Sequence, residues 1–263
     1  MSKPLFLNLM KKNLPLWGVF TGILVFYLVV IVFTFGIPEV RDSFAIIGIE
    51  VGTDITLMDY TAMGFFGTVM FMFPPIFFIM LAYKLVYKPI DSNSLSSFLS
   101  TPISRKKYIL TTGVLYLVAI FAMFLITWLL GIISVGLFPM AFPDVEIGSY
   151  SFIHYTNMVF TLFLATMAVA SISFLFSCIG HGKKFGLALL IGLPIVFILI
   201  QMLGSMAGLD FLLHFTPLGW IDAMELNSGT ASLWWLFSLI YIAITGTLFF
   251  LALKLFNKKQ LSI

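Results

Sequence analysis

Charge is what this chain has least of. Asp, Glu, Lys and Arg make up 10% of its 263 residues, and six runs contain none of them: 13–38, 60–83, 108–143, 148–180, 185–209 and 227–253. No ionisable pair lies inside those runs, and no HExxH or paired acidic motif occurs anywhere, which argues against an intramembrane hydrolase. Proton- and ion-coupled carriers usually place carboxylates, His or Lys at membrane depth, so that class is disfavoured too. His154, His181 and His214 fall at run ends, as solvated or turn residues. The single cysteine, Cys178, excludes an internal disulfide and reads as a small apolar packing residue. There is no Gly-rich phosphate loop, no low-complexity tract, no convincing repeat and no obvious cleavable signal peptide. The longest gap between basic-flanked runs, 84–107, leaves no room for a soluble catalytic domain.

What is present is apolar: 61% of residues, with a mean hydropathy of +1.11. Each charge-free run reaches the ~18 residues that cross a hydrocarbon core. The gaps between them alternate in sign. Lys3, Lys11 and Lys12 precede the first run; Glu39, Asp42, Glu50, Asp54 and Asp59 follow it, with Arg41. Lys84, Lys88, Arg105, Lys106 and Lys107 come next, with Asp91. Asp144 and Glu146 follow, then Lys183 and Lys184, then Asp210, Asp222 and Glu225, and finally Lys254, Lys258 and Lys259. Basic residues mark the cytoplasmic side. The expected fold is an all-α membrane protein forming one domain over 1–263, with six transmembrane helices and both termini cytoplasmic. The net charge of +3 is accounted for by this orientation and does not imply nucleic-acid binding.

Several segments carry finer expectations. Residues 1–12 mix Leu5, Phe6, Leu7, Leu9 and Met10 with three lysines, the pattern of a short helix on the inner surface with its lysines at lipid headgroups. The second run holds Pro74-Pro75 beside Met70, Phe71, Met72 and Phe73. Proline kinks a helix and frees carbonyls; Met70, Phe71, Phe73, Pro74 and Pro75 can line a deformable apolar path, or face lipid or a neighbouring helix. Gly204 and Gly208 have the GxxxG spacing of a close helix–helix approach, compatible with a dimer contact. Residues 210–228 are too apolar for a free loop and predict short re-entrant or surface helices. The acidic segment 37–59 is expected to be a solvated outer loop, without tight cation-ligand spacing.

The inner segment 91–105 has distinctive chemistry. Asp91 or Ser92 can cap a short helix; Leu95, Phe98 and Leu99 fall at i, i+3 and i+4 on one face. Thr101-Pro102 ends the helix in an extended exit, and Ser104 can cap the third span, with Arg105 at the headgroups. The product is a short cytoplasmic helix with an apolar face, shaped to enter a partner's groove.

The stretch Ser97-Phe98-Leu99-Ser100-Thr101-Pro102-Ile103-Ser104-Arg105 resembles the Leu-Leu-Ser-x-Pro-Ile-Ser-Arg stretch of bacterial ABC-2-type transporter permeases, at the same place between the second and third of six spans. The inner-surface first helix and the apolar outer segment between the fifth and sixth spans match as well; Asn93-Ser94 stands where the family usually has Gly-Thr or Gly-Ser. The resemblance implies a permease that pairs with a second permease copy and with separate cytoplasmic ABC ATPase subunits in a bacterial cell membrane. Asp91, Ser94, Leu95, Phe98, Leu99, Ser100, Thr101, Pro102, Ser104 and Arg105 would then form or flank the coupling helix seated in the ATPase. ATP and Mg would be handled on that partner, with no cofactor on this chain and no enzymatic activity of its own. With no charge in the spans, amphipathic peptides or other hydrophobic compounds are the expected cargo. A non-transporting scaffold that recruits a cytoplasmic partner, and an ion-coupled carrier, are the competing classes.

Overall fold

The computed structural model describes residues 2–41, 55–91, 104–148, 150–180, 184–206, 208–229 and 231–258. Six helices are long and apolar enough to cross a bilayer: α1 (Lys3–Thr34), α2 (Leu57–Asp91), α3 (Arg105–Ala141), α4 (Phe152–Ile179), α5 (Lys184–Gly204) and α7 (Trp234–Lys258). No strand occurs among the described residues. The short helix α6 (Ala223–Ser228) and a 3-10 turn (Asp210–Phe215) lie between α5 and α7. This is the predicted all-α membrane fold. The 28 residues of α4 already span about 42 Å at 1.5 Å per residue, more than the ~30 Å of a hydrocarbon core.

Two helices are central and four are peripheral. Buried residues make up 72% of the apolar window of α4 and 67% of that of α2, against 17–33% in the other four. α1 packs along α3, and α7 and α5 pack on α4. α1 and α3 run parallel: at the basic end the Ser2 N–H donates to Thr111 Oγ1 (2.9 Å), further along Trp17 Nε1–H donates to the Ala119 carbonyl (2.8 Å), and at the acidic end the Phe35 and Phe138 rings meet at 5.9 Å. In lipid, apolar burial does not drive helices together, so association rests on close packing and hydrogen bonds. α4 accordingly presents small buried residues, among them Ala165, Ala168, Ala170, Ser171 and Ser173.

The surface helix predicted over 1–12 is not a separate element. Residues 3–34 form one helix that continues through Pro15. Leu5 and Leu9, one turn apart, are buried in the bundle, and the bond from Ser2 to Thr111 ties the first turn to α3.

At the acidic end the segment 210–228 folds over the helix ends as the predicted short helices. Thr56 and Asp59 form a capping box at the start of α2, and Asn227 Nδ2 donates to Asp59 Oδ1 (2.6 Å), joining α6 to that cap. The Leu57 N–H donates to the Ile147 carbonyl (3.1 Å). Trp220 stacks on Tyr241 at 5.7 Å, and the Tyr241 hydroxyl donates to the Pro217 carbonyl (2.7 Å). Burial pushes the Tyr150 phenol up to about 12, and its ring lies 6.0 Å from that of Tyr155.

Candidate functional site

Among the described residues no three His, Cys, Asp or Glu side chains converge on a metal-sized site. His154 lies in the first turn of α4, His214 Nδ1 lies 3.3 Å from the Phe211 carbonyl, and His181 falls outside the described residues. Cys178 is buried, in the packing role its residue type predicts. The unusual feature of the interior is mechanical: the backbone of α2.

Its α-helical hydrogen bonding is interrupted twice. Over Ala62–Val69 and again over Tyr83–Tyr87 the chain widens to π-helix; the Met70 N–H donates to the Phe65 carbonyl and the Lys88 N–H to that of Tyr83, five residues back in each case. Thr68 Oγ1 also donates five residues back, to Met63 (3.2 Å). Between the two π segments stand Pro74 and Pro75. Neither has an N–H, so the carbonyls of Met70 and Phe71 lose their i+4 donors. Such interruptions survive at membrane depth where neighbouring groups serve the freed carbonyls, and π segments within α-helices are frequent at functional sites.

Tyrosines of α3 supply donors to this helix. The Tyr108 hydroxyl donates to the Leu85 carbonyl inside the second π segment (2.9 Å). The Tyr116 hydroxyl lies 3.2 Å from the Phe78 carbonyl of α2 and 3.0 Å from the Ala170 carbonyl of α4, sharing one proton between them. The Tyr116 ring rests on Phe174 of α4 (5.3 Å) and near Phe249 of α7 (6.1 Å), and those two rings stack at 4.7 Å. Four helices therefore meet at one fully buried tyrosine. Near the other end of α2, Phe66 packs edge-on against Tyr155 of α4 at 5.8 Å. Tyr116 thus links α2 and α3 to α4 and α7.

The predicted path residues sit inside this arrangement. Met70, Phe71, Pro74 and Pro75 are buried and Phe73 is partly buried, packed against the core. They face neighbouring helices in this conformation, and a route along them requires α2 to move. Replacing Pro74 and Pro75 together by alanine restores two backbone donors. The expected result is amide exchange over 70–79 slowed about tenfold or more, as two ordinary helical bonds of ~1 kcal/mol each are regained, with no loss of thermal stability. Unchanged exchange would show that the prolines do not loosen α2.

The predicted inner-loop residues divide. Asp91 ends α2, Ser104 is the N-cap of α3 with its Oγ accepting from the Lys107 N–H (3.3 Å), and Arg105 opens α3. Ser94, Leu95, Phe98, Leu99, Ser100, Thr101 and Pro102 lie outside the described residues. The two described ends of that loop are held close to each other by the bond from Tyr108 to Leu85.

The GxxxG pair does not form a helix–helix contact stripe. α5 ends at Gly204, where a Cβ would lie 2.5 Å from the Leu213 side chain of the same chain; Gly208 lies beyond the helix at φ +86°. The spacing serves the turn into the outer segment. Close approaches fall elsewhere: at Gly180 against Gly186, where the end of α4 meets α5 backbone to backbone, and at Gly131 of α3, against which the Tyr155 hydroxyl packs.

Sequence reasoning missed Tyr108, Tyr116 and Tyr155. The available signal was a phenol inside an apolar span, since a hydroxyl at membrane depth needs an acceptor.

The fold defines the class: an all-α, multi-pass membrane protein. No family model, curated protein or solved structure matches the chain.

Proposed function

We propose that this protein is the membrane-spanning permease half of an ATP-driven ABC exporter. It works as a dimer of permeases with separate cytoplasmic ATPase subunits, in a bacterial plasma membrane. The observation that carries the reading is the linkage of α2 and α3 at their basic ends. Residues 92–103 connect two helices tied by Tyr108 and Leu85, and Tyr116 connects the same pair to α4 and α7. A partner pressing on that loop would act on a helix already interrupted by two π segments and two prolines. The charge-free runs within the spans leave no Asp, Glu, Lys or Arg at membrane depth through which an ion gradient would ordinarily act, and the resemblance of 97–105 to the ABC-2 coupling segment suggests the partner. ATP and Mg belong to that partner.

The cargo follows from the same composition. Charged hydrophilic solutes would find few partners at membrane depth, whereas amphipathic peptides and other hydrophobic compounds suit a Met- and Phe-rich helix. Proteoliposomes containing the chain and its candidate ATPase are expected to hydrolyse ATP faster when an amphipathic antimicrobial peptide is added, and to move that peptide only with nucleotide. Steady movement without the ATPase, driven by a proton or sodium gradient, would make the protein an ion-coupled carrier. Binding of the ATPase with no movement under any condition would make it a scaffold.

A further inference from the structure

α1 and α3 leave a groove between them near their basic ends, and the geometry points to a binding site there for one acyl chain of an anionic phospholipid from the basic-side leaflet. Met10, Leu14 and Trp17 form one wall and Leu115, Val118 and Ala122 the other, with Leu81 of α2 also lining the groove. Its volume is about 170 Å³, below the ~300–1,000 Å³ of a pocket that encloses a drug-sized molecule, and it suits a slot for part of a chain. Its walls offer little polar chemistry. The Asn13 amide is turned back to the Leu9 carbonyl (2.8 Å), and the Trp17 N–H is taken up by Ala119 (2.8 Å), which fixes the indole across the two helices.

Charge decides the headgroup. Lys11 is exposed and lies about 100° round α1 from the lining residue Met10, whereas Lys12 falls on the far side of the helix. Lys3 lies seven residues before Met10, on the same helical stripe. Lys107 lies on the stripe of α3 that continues through Thr111, Leu115, Val118 and Ala122. The bond from Ser2 to Thr111 ties the start of α1 to the second turn of α3, so Lys3 and Lys107 share one end of the groove. Neither 2–20 nor 104–123 contains an Asp or Glu. Along α1, Trp17 is about 9 Å beyond Lys11, the depth of an upper acyl segment beneath a phosphate. Another groove, of about 130 Å³ between α3 and α4 beside Trp128 and Phe160, has no such rim: residues 108–180 contain no Lys or Arg. The proposal is independent of what the protein transports.

The test uses the purified full chain in nanodiscs of phosphatidylcholine and phosphatidylglycerol, with no ATPase or cargo. Lipid retained after delipidation is counted by native mass spectrometry. Quenching by brominated phosphatidylglycerol is measured for the wild type and for Trp17→Phe, and their difference isolates Trp17. The expected result is an excess of retained phosphatidylglycerol over its bulk fraction and quenching of Trp17. Lys3→Gln with Lys107→Gln should lower the excess by about fivefold per lysine, the effect of ~1 kcal/mol for each basic residue at an anionic surface. Ala122→Phe, which fills the groove and leaves every lysine in place, should abolish both signals. Retention at the bulk ratio, retention unaffected by Ala122→Phe, or an unquenched Trp17 covered by a second copy of the chain would each overturn the site.

Discussion

Replacing Gly131 by alanine is expected to cost about 3 kcal/mol, although glycine to alanine inside a helix ordinarily gains about 1 kcal/mol. The added Cβ would overlap the Tyr155 hydroxyl, lie 2.8 Å from its Cζ and 3.2 Å from a Leu28 methyl. Tyr155 has little room to retreat. It is 2% exposed, with Phe66 edge-on at 5.8 Å and Tyr150 at 6.0 Å. Overpacking of this kind typically costs 1–3 kcal/mol, and here it acts where α1, α3 and α4 meet. Tyr155→Phe removes the overlapping oxygen. Alone it should cost under about 1 kcal/mol, because its contacts to the Thr127 and Trp128 carbonyls are both at 3.5 Å, where a hydrogen bond is weak. The double variant should recover most of the loss, and unfolding in mixed micelles measures all three. Additive costs, with no recovery in the double variant, would mean that the two side chains do not meet as described.

Gly131 also illustrates how much of this protein could be read from its residues. The spans were legible because lipid imposes a rule on composition: a long charge-free run must be helical, and basic residues mark its ends. The folded outer segment was legible because Phe211, Leu213, Phe215, Leu218 and Trp220 are too many apolar groups for a solvated loop. Inside the bundle these signals fail. The spans are apolar all round, so periodicity does not say which face is inward, and nothing local marks α2 and α4 as the central pair. The prolines of α2 were visible, but the π segments on either side were not, and the bonds to α2 come from far along the chain: Tyr108 reaches Leu85 in the second π segment from 23 residues away, and Tyr116 reaches Phe78 in the α-helical stretch from 38. Gly204 and Gly208 had the right spacing, yet the helix stops at the first of them, where Leu213 packs. Lys3, Lys11 and Lys12 suggested a detached surface helix. Leu5 and Leu9 instead bury into the bundle and keep that segment part of α1.

The largest functional effect is expected from Phe98→Asp or Leu99→Asp. Both positions lie outside the described residues; in the helix that the sequence predicts there, their spacing with Leu95 would put all three on one face. If that face enters an apolar groove on the ATPase, a carboxylate must be desolvated there without a partner. A penalty of about 3 kcal/mol weakens association roughly a hundredfold, and stimulation of ATP hydrolysis should fall to the level of the ATPase alone. Insertion should be unaffected, since acidic residues contribute little to orientation and Lys84, Lys88, Arg105, Lys106 and Lys107 remain. The folded bundle should also persist, because Ser104 still caps α3 and Tyr108 still reaches Leu85. Ser97→Asp places the same charge on the opposite side of the helix and separates a buried face from a general sensitivity of the loop. It should leave co-purification and stimulation near wild type. Equal loss in Ser97→Asp and Phe98→Asp would refute the one-sided helix, and normal stimulation in all three variants would place the ATPase contact elsewhere on the basic face.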